Sequence, residues 1–284
     1  MSSWNNGRRH FRERVVKRIE PTTDPLPSRW VVPNYYAVIC AIALNEEPYI
    51  DEWINYHRFL GFSHIYIYDN SDDNTLKDKE SGFVTIIHFP GPLKHLLAYD
   101  IFTTTYKDKH MWGAFIDCDE FIFLKKHNSI IDFLKEYDDC DGIGLNWLMF
   151  GTSREKNYKN EPVLSRFRYC ASTLDIHIKS IVKLKKIHKC VSTHAPLLEN
   201  GVICNTQREV IKDQFNENLL SDVAYIHHYY RKSEEEFLKK INRGRGDILE
   251  KRSLAEMEEL HSKDNDVYNS DAWDFYSKHL HSLS

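Results

Sequence analysis

Tyr36-Ala-Val-Ile-Cys-Ala-Ile-Ala43 holds no charged side chain, and it runs through Leu44 into Asn45-Glu46-Glu47-Pro48. A near-continuous apolar run is what a strand buried on both faces requires, and such strands belong to parallel sheets. The polar stretch after it reads as a helix start. Asn45 suits a cap, the two glutamates suit a helix N-terminus, and Pro48 suits a first turn. Ile50, Trp53, Ile54, His57 and Leu60 then recur on one helical face, and Gly61 is the stop. His64–Tyr68 is a second strand, ended by the turn-rich Asp69-Asn-Ser-Asp-Asp-Asn74. Phe83–Phe89 is a third strand, and a helix over Leu96–Tyr106 precedes a strand over Trp112–Ile116. The order strand–helix–strand–strand–helix–strand predicts an α/β fold on a largely parallel central sheet flanked by helices. Ligands of such sheets lie beyond the C-terminal ends of the strands.

The second half is less regular. Ile130–Tyr137 reads as a helix, Gly142–Phe150 as a strand, and Lys179–Leu184 and Val223–His227 as shorter strands. Ser233–Asn242 is a helix with Glu234, Glu235 and Glu236 in its first turn and Lys239 and Lys240 in its last, matching the macrodipole. Leu254–His261 is a further surface helix. Residues 1–34 are basic and rich in proline, an arm that leads into a domain over 35–246, and 247–284 form a C-terminal helical extension. The arm carries Arg8, Arg9, Arg12, Arg14, Lys17 and Arg18, enough for a weak peripheral contact with an anionic membrane.

Composition excludes several classes. The chain has 284 residues, 42% of them hydrophobic and 28% charged, ordinary globular usage that excludes wholesale disorder. The net charge of −4 lacks the basic excess of a nucleic-acid binder. The longest apolar run, Tyr35–Leu44, is about half of the ~20 residues that a bilayer span needs, and the N-terminus has no signal-peptide core. Cys40, Cys118, Cys140, Cys170, Cys190 and Cys204 are scattered and form no C-x-x-C pair, which reads as reduced thiols in a cytoplasmic compartment.

The chemistry concentrates in Trp112-Gly-Ala-Phe-Ile-Asp117-Cys-Asp119-Glu-Phe121-Ile-Phe123. Asp117 and Asp119 stand where an apolar strand ends, flanked by apolar residues on both sides. Carboxylates there need a partner. Two of them can hold a hard divalent cation in part and leave positions for phosphate oxygens. Asn45, Glu46 and Glu47 end the first strand, and Asp69 and Asn70 end the second. In a parallel sheet these ends open on one edge and make one cleft, with capping and turn formation as the alternative roles of Asn45 and Asp69.

These residues resemble the opening of family 92 glycosyltransferases and their bacterial and viral relatives. The resemblance is carried by Ala41-Ile-Ala43-Leu-Asn45-Glu46, Glu52-Trp53-Ile-x-Tyr56-His57-x-x-x-Gly61 and Ile65-Tyr-Ile-Tyr68-Asp69-Asn70. Later segments agree in order: Tyr99, Trp112, the Asp117–Asp119 block, Asn146-Trp147-x-x-Phe150-Gly151-x-Ser153, Lys179-Ser-Ile-Val-Lys183, Thr193-His194-Ala-Pro196 and His228-Tyr-x-x-Lys232-Ser233-x-x-Glu236-Phe237. The resemblance implies a GT-A (Rossmann-like) fold and an inverting transfer from a UDP-sugar to a hydroxyl of a glycan or glycoconjugate. UDP-galactose is the first donor expected, with UDP-xylose, UDP-glucose and UDP-GlcNAc after it. Asp117 and Asp119 would be the D-x-D pair with manganese, or magnesium in its place, and His194 a further metal ligand. Ala43, Asn45, Glu46, Asp69 and Asn70 would line the nucleotide, with Asp69 accepting from the uracil ring. Tyr99 belongs to the same region, Trp147 would stack on a sugar face, and Lys232 would neutralise the leaving diphosphate.

Two departures stand out. Many relatives carry glutamine where this chain has His95. Animal members carry a membrane anchor and lumenal cysteines, and this chain shows neither, which favours a cytoplasmic enzyme of a bacterial cell or a virus-infected host. Inverting transfer also needs a base for the acceptor hydroxyl. Glu155, after the Phe150–Ser153 segment, and Asp175, before the Lys179 strand, are the two candidates. The same acidic cluster would also serve a metal-dependent phosphoesterase, and an inactive site would leave a carbohydrate-binding protein.

Overall fold

The computed structural model describes residues 35–243 and 253–280. The N-terminal arm and the boundary at residue 246 lie outside these residues. The chain runs β1 (Tyr35–Ala43), α1 (Ile50–Phe59), β2 (His64–Asp69), β3 (Val84–His88), α2 (His95–Tyr106), β4 (His110–Phe115), β5 (Glu120–Leu124), α3 (Ile130–Glu136) and β6 (Gly142–Met149). It continues with α4 (Val163–Arg166), β7 (Tyr169–Cys170), β8 (Asp175–Lys183), β9 (Ile187–Lys189), β10 (Leu197–Leu198), β11 (Ile203–Cys204) and β12 (Val210–Ile211). It ends with β13 (Ala224–His228), α5 (Glu234–Arg243), α6 (Leu254–Leu260), β14 (Val267–Tyr268) and α7 (Asp271–His279).

Among the described residues ten strands form the central sheet, in the order β12-β11-β6-β8-β4-β1-β2-β3, with β13 pairing both β6 and β5. β1, β2, β3 and β4 are mutually parallel, as are β6, β11 and β13. β8 runs antiparallel between β4 and β6 and joins the two parallel groups. This mostly parallel sheet, flanked by helices, is the GT-A arrangement that the resemblance implies. The expected strand at Lys179 is longer than its apolar part, because β8 begins at Asp175 and alternates polar and apolar residues. β5 has no counterpart in the sequence reading.

The apolar run of β1 serves both faces of the sheet. Ala37, Ile39, Ala41 and Ala43 join the larger core with Trp53, Tyr56 and Phe133, while Val38 and Cys40 join the smaller one with Tyr66, Tyr99 and Phe102. The period of two follows from strand geometry. Asn45 is not the cap of α1. It stands at φ +56, the Glu46 carbonyl accepts from Tyr49 and Ile50, and the helix begins after Pro48. The residue before a proline is pushed out of helical geometry, so the start falls downstream. All six cysteines are buried free thiols. Among the described residues no helix is long and apolar enough to cross a membrane.

Candidate active site

The register of β1 against β2 and β4 brings three strand ends to one edge: Ala43 lies beside Asp69, and Cys40 beside Phe115 just before the Asp117 turn. A cleft of about 430 Å³ opens there, within the range of small-ligand sites. Ala43, Glu46, Asn70, His95, Asp117 and Asp119 line it from the first half of the chain. Trp147, Asp175, His177, His194, His228, Tyr230, Lys240, His261 and Asp264 line it from the second.

The carboxylate turn is fixed by bonds on both sides. Asp117 N–H donates to Glu120 Oε2 at 3.0 Å, Glu120 N–H to the Asp117 carbonyl at 3.1 Å, and Tyr229 N–H to the Asp119 carbonyl at 2.9 Å. β5, which follows the turn, is seated by α1. Trp53 Nε1 donates to the Glu120 carbonyl at 2.8 Å and Tyr56 Oη to the Ile122 carbonyl at 2.9 Å. His57, whose Nδ1 lies 2.9 Å from the Trp53 carbonyl, is fully buried, and burial holds it down to about 3, so it is neutral. The motif Trp53-x-x-Tyr56-His57 thus reads as a helix face in sequence but works as a clamp on the strand behind the carboxylates.

Both aspartates are ionised and paired. Asp117 Oδ2 is 3.0 Å from Lys179 Nζ, and Oδ1 is 3.5 Å from His95 Nε2. Burial raises its carboxyl, but Lys179 and His95 outweigh burial and hold it down to about 2. Asp119 Oδ2 accepts from Lys240 Nζ, and Oδ1 is 3.5 Å from His228 Nε2. Against the same burial, Lys240 and His228 hold Asp119 well below the carboxylate range. Glu120 is fully buried. Burial and the two aspartates push it well above the usual range, despite Lys179 at 3.8 Å. Neither Lys179 nor Lys240 was singled out for a role by the sequence reading. Lys179 and Lys240 stand 62 and 121 residues from their aspartates, and nothing local in the sequence announces such pairs.

Around Trp147 the second half of the chain builds a ring-lined wall. His177 stacks on Trp147 at 5.1 Å and 18°, with His194 at 5.1 Å and His228 at 4.4 Å. Trp147 Nε1 is buried with no hydrogen-bond partner. Asp175 Oδ1 accepts the backbone N–H of His177 at 2.8 Å and lies 2.7 Å from its Nδ1. His194 Nδ1 lies 2.9 Å from the Ile178 carbonyl, so this nitrogen carries the proton and Nε2 keeps the lone pair. Burial and Lys179 lower His194 to about 4, so it is a neutral imidazole.

Other expected residues lie outside the cleft lining. Asp69 is 1% exposed, and its oxygens accept from Ser71 N–H, Ser71 Oγ and Leu76 N–H, so it shapes the turn after β2. Tyr99 is buried behind His95, with ring centres 4.8 Å apart. Glu155 pairs with Lys159 at 2.7 Å, away from the cleft lining. Lys232 is buried at φ +53, with Nζ 3.9 Å from Glu46 Oε2 and 4.3 Å from the Tyr49 ring centre. Beside it, Ser233 and Glu236 form a capping box: Ser233 N–H donates to Glu236 Oε2 at 3.1 Å and Glu236 N–H to Ser233 Oγ at 3.3 Å.

The donor set suits a hard divalent cation in part. Two carboxylates are ionised, Asp117 Oδ1 makes no hydrogen bond, and His194 offers Nε2 with its other nitrogen tied to a carbonyl, as in metal-ligating histidines. Among the described residues no three His, Cys, Asp or Glu side chains already converge on one point, so Asp117, Asp119 and His194 share a cleft without forming a closed cage.

The profile of glycosyltransferase family 92 matches residues 35–264. A family 92 protein of Arabidopsis thaliana is 28% identical over 97 residues, which are 32% of this chain and 17% of the relative. One of Oryza sativa subsp. japonica is 25% identical over 130 residues, 43% of this chain and 22% of the relative. The matched stretches therefore span about a fifth of these plant proteins. Among solved structures, TarS of S. aureus aligns over 86% of this chain and 43% of its own, at 16% identity and a TM-score of 0.41.

Proposed function

The chain belongs to glycosyltransferase family 92, and from that premise we propose that it moves a sugar from a UDP-sugar to a hydroxyl of a glycan or glycoconjugate with inversion. The observation that carries this reading is the pair Asp117 and Asp119, both ionised, in a cleft at the C-terminal edge of β1, β2 and β4. Manganese or magnesium, held by Asp117 and Asp119 with His194 as a further ligand, would neutralise charge on the departing diphosphate.

The residues of the chain supply the rest. Ala43, Glu46 and Asn70 line the end of the cleft where a nucleotide binds in such sheets. Trp147 and His177 offer a flat stacked surface of the kind sugar rings pack on. Lys179 and Lys240 keep the carboxylate pair charged and in place. UDP-galactose is the donor of first choice, followed by UDP-xylose.

Binding and slow hydrolysis of a UDP-sugar panel, with and without manganese, test the reading in wild type and Asp119→Ala. Turnover of one donor, dependent on manganese and reduced at least 100-fold in the variant, is expected. Absence of binding to every UDP-sugar under both conditions would overturn it.

A further inference from the structure

Residues 261–265 bring to the cleft a proton-handling pair that no sequence motif pointed to. His261 and Asp264 are 6% and 5% exposed, and His261 Nδ1 lies 2.6 Å from Asp264 Oδ2. A carboxylate only accepts, so Nδ1 carries the proton and Nε2 keeps its lone pair. Both residues line the cleft that holds Asp117, Asp119 and Trp147. The imidazole lies on Tyr230 at 5.1 Å and 20°, edge-on to Phe237 at 6.1 Å, and Arg231 Nη1 donates to the His261 carbonyl at 3.3 Å. Tyr230 in turn backs Lys240, whose ammonium is 3.7 Å from the ring centre and bonded to Asp119. An unbroken series of contacts therefore joins the imidazole to the D-x-D turn.

A separate observation shows that this segment is seated by the loop after β6. Ser153 N–H donates to Asn265 Oδ1 at 2.8 Å. A Cβ at Gly151 would stand 2.5 Å from three atoms of the Asn265 side chain. The bare glycine makes the space, and Asn265 fills it. Asn269 N–H then donates to the Arg168 carbonyl at 2.7 Å, and β14 pairs with β7. The Phe150-Gly151-x-Ser153 motif is the socket for the turn that carries His261 and Asp264.

We propose that His261, oriented by Asp264, is the catalytic base that takes the proton of the attacking hydroxyl; the role rests on the transferase reading above. The acceptor oxygen bonds to the anomeric carbon as the bond from that carbon to the diphosphate oxygen breaks, its electron pair leaving with the diphosphate. The hydroxyl proton passes to His261 Nε2, Asp264 balances the imidazolium, and the proton is released to water after the products leave. Of the two carboxylates expected for this task, Glu155 lies outside the cleft lining, while Asp175 lines it with one oxygen 2.7 Å from His177 Nδ1.

The test uses the full chain and a UDP-sugar that the wild type turns over, with wild type, His261→Gln and Asp264→Asn. Turnover and affinity for UDP with manganese are measured, and turnover is repeated with sodium azide as acceptor. His261→Gln is expected to lose at least 100-fold in turnover, within the usual range for a general base. UDP affinity should stay within twofold, and azide, a nucleophile with no proton to lose, should restore turnover. Asp264→Asn, which loosens the hold on His261 Nδ1, should lower turnover at unchanged UDP affinity. Full turnover in His261→Gln, a loss of UDP affinity equal to the loss of rate, or failure of azide to rescue would each overturn the assignment. Wild type inert toward every UDP-sugar would overturn the transferase reading, and the dyad's role with it.

Discussion

Lys179 is a charge placed almost wholly inside the protein, 1% exposed, with Nζ 3.0 Å from Asp117 Oδ2, 3.1 Å from the Thr193 carbonyl and 3.8 Å from Glu120. Its removal leaves the buried Glu120 and the partly exposed Asp117 carboxyl groups without their cation. Lys179→Met should destabilise the fold by about 2 kcal/mol, less than the ~3–5 kcal/mol of a fully buried pair because water reaches Asp117. Urea unfolding at pH 7 measures this, and a loss below about 1 kcal/mol would show that the carboxylates do not depend on it. The aspartates themselves were legible in the sequence, because apolar residues on both sides of Asp117 and Asp119 place them at a buried strand end. Their lysines were not, because a charge pair across 62 or 121 residues has no local signature. Asp69 is the opposite case. An aspartate before a turn can serve a ligand or the turn, and here the N–H groups of Ser71 and Leu76 take its oxygens.

Among the elements, the apolar strands and the helices that pack on them were read almost residue for residue, since burial fixes their period. α2 and α3 begin and end within a residue of expectation. What escaped was strand with polar content. β8 opens with Asp175-Ile-His177-Ile-Lys179, whose polar members face the cleft or its carboxylates, so its apolar run alone understates its length. The loop after β6 allows a direct test. Gly151→Ala places a methyl group where Asn265 sits. The side chain must withdraw, and its bond to Ser153 N–H breaks. Turnover is expected to fall about tenfold or more while UDP affinity holds, and residues 261–265 should become more accessible to protease. Unchanged turnover in Gly151→Ala would separate the socket from the cleft.

For the molecule as a whole, stability should carry the imprint of one carboxyl group. Glu52 Oε2 and Oε1 accept from Val163 N–H at 2.6 Å and Leu164 N–H at 3.1 Å, which ties α1 to α4. Burial pushes this carboxyl from 4.5 to about 7, against the two backbone donors and Lys232. The folded state then binds the proton more tightly than the unfolded chain. The stabilisation is full below pH 4.5 and is lost as pH rises through 7. With allowance for the partial exposure of the group, the change is about 2 kcal/mol. Glu52→Gln removes it, so the Tm of the variant relative to wild type should be higher at pH 8 than at pH 5. A constant difference would show that Glu52 does not titrate in this range. The topology was less legible than the class. Sheet order depends on contacts between distant segments, and no local pattern tells that β8 enters antiparallel between β4 and β6.

β5 pairs with no described strand except β13, and about a hundred residues separate the two. On a ribosome that interval lasts roughly 5–20 s at ordinary elongation rates. For that time the arm leaving Asp119 has only the side chains of α1 to rest on, and the carboxylate turn lacks the Tyr229 bond that later closes it. The sheet of the first half can thus exist before its acidic turn is set. The insertion of β13 becomes the step at which the acidic turn is closed.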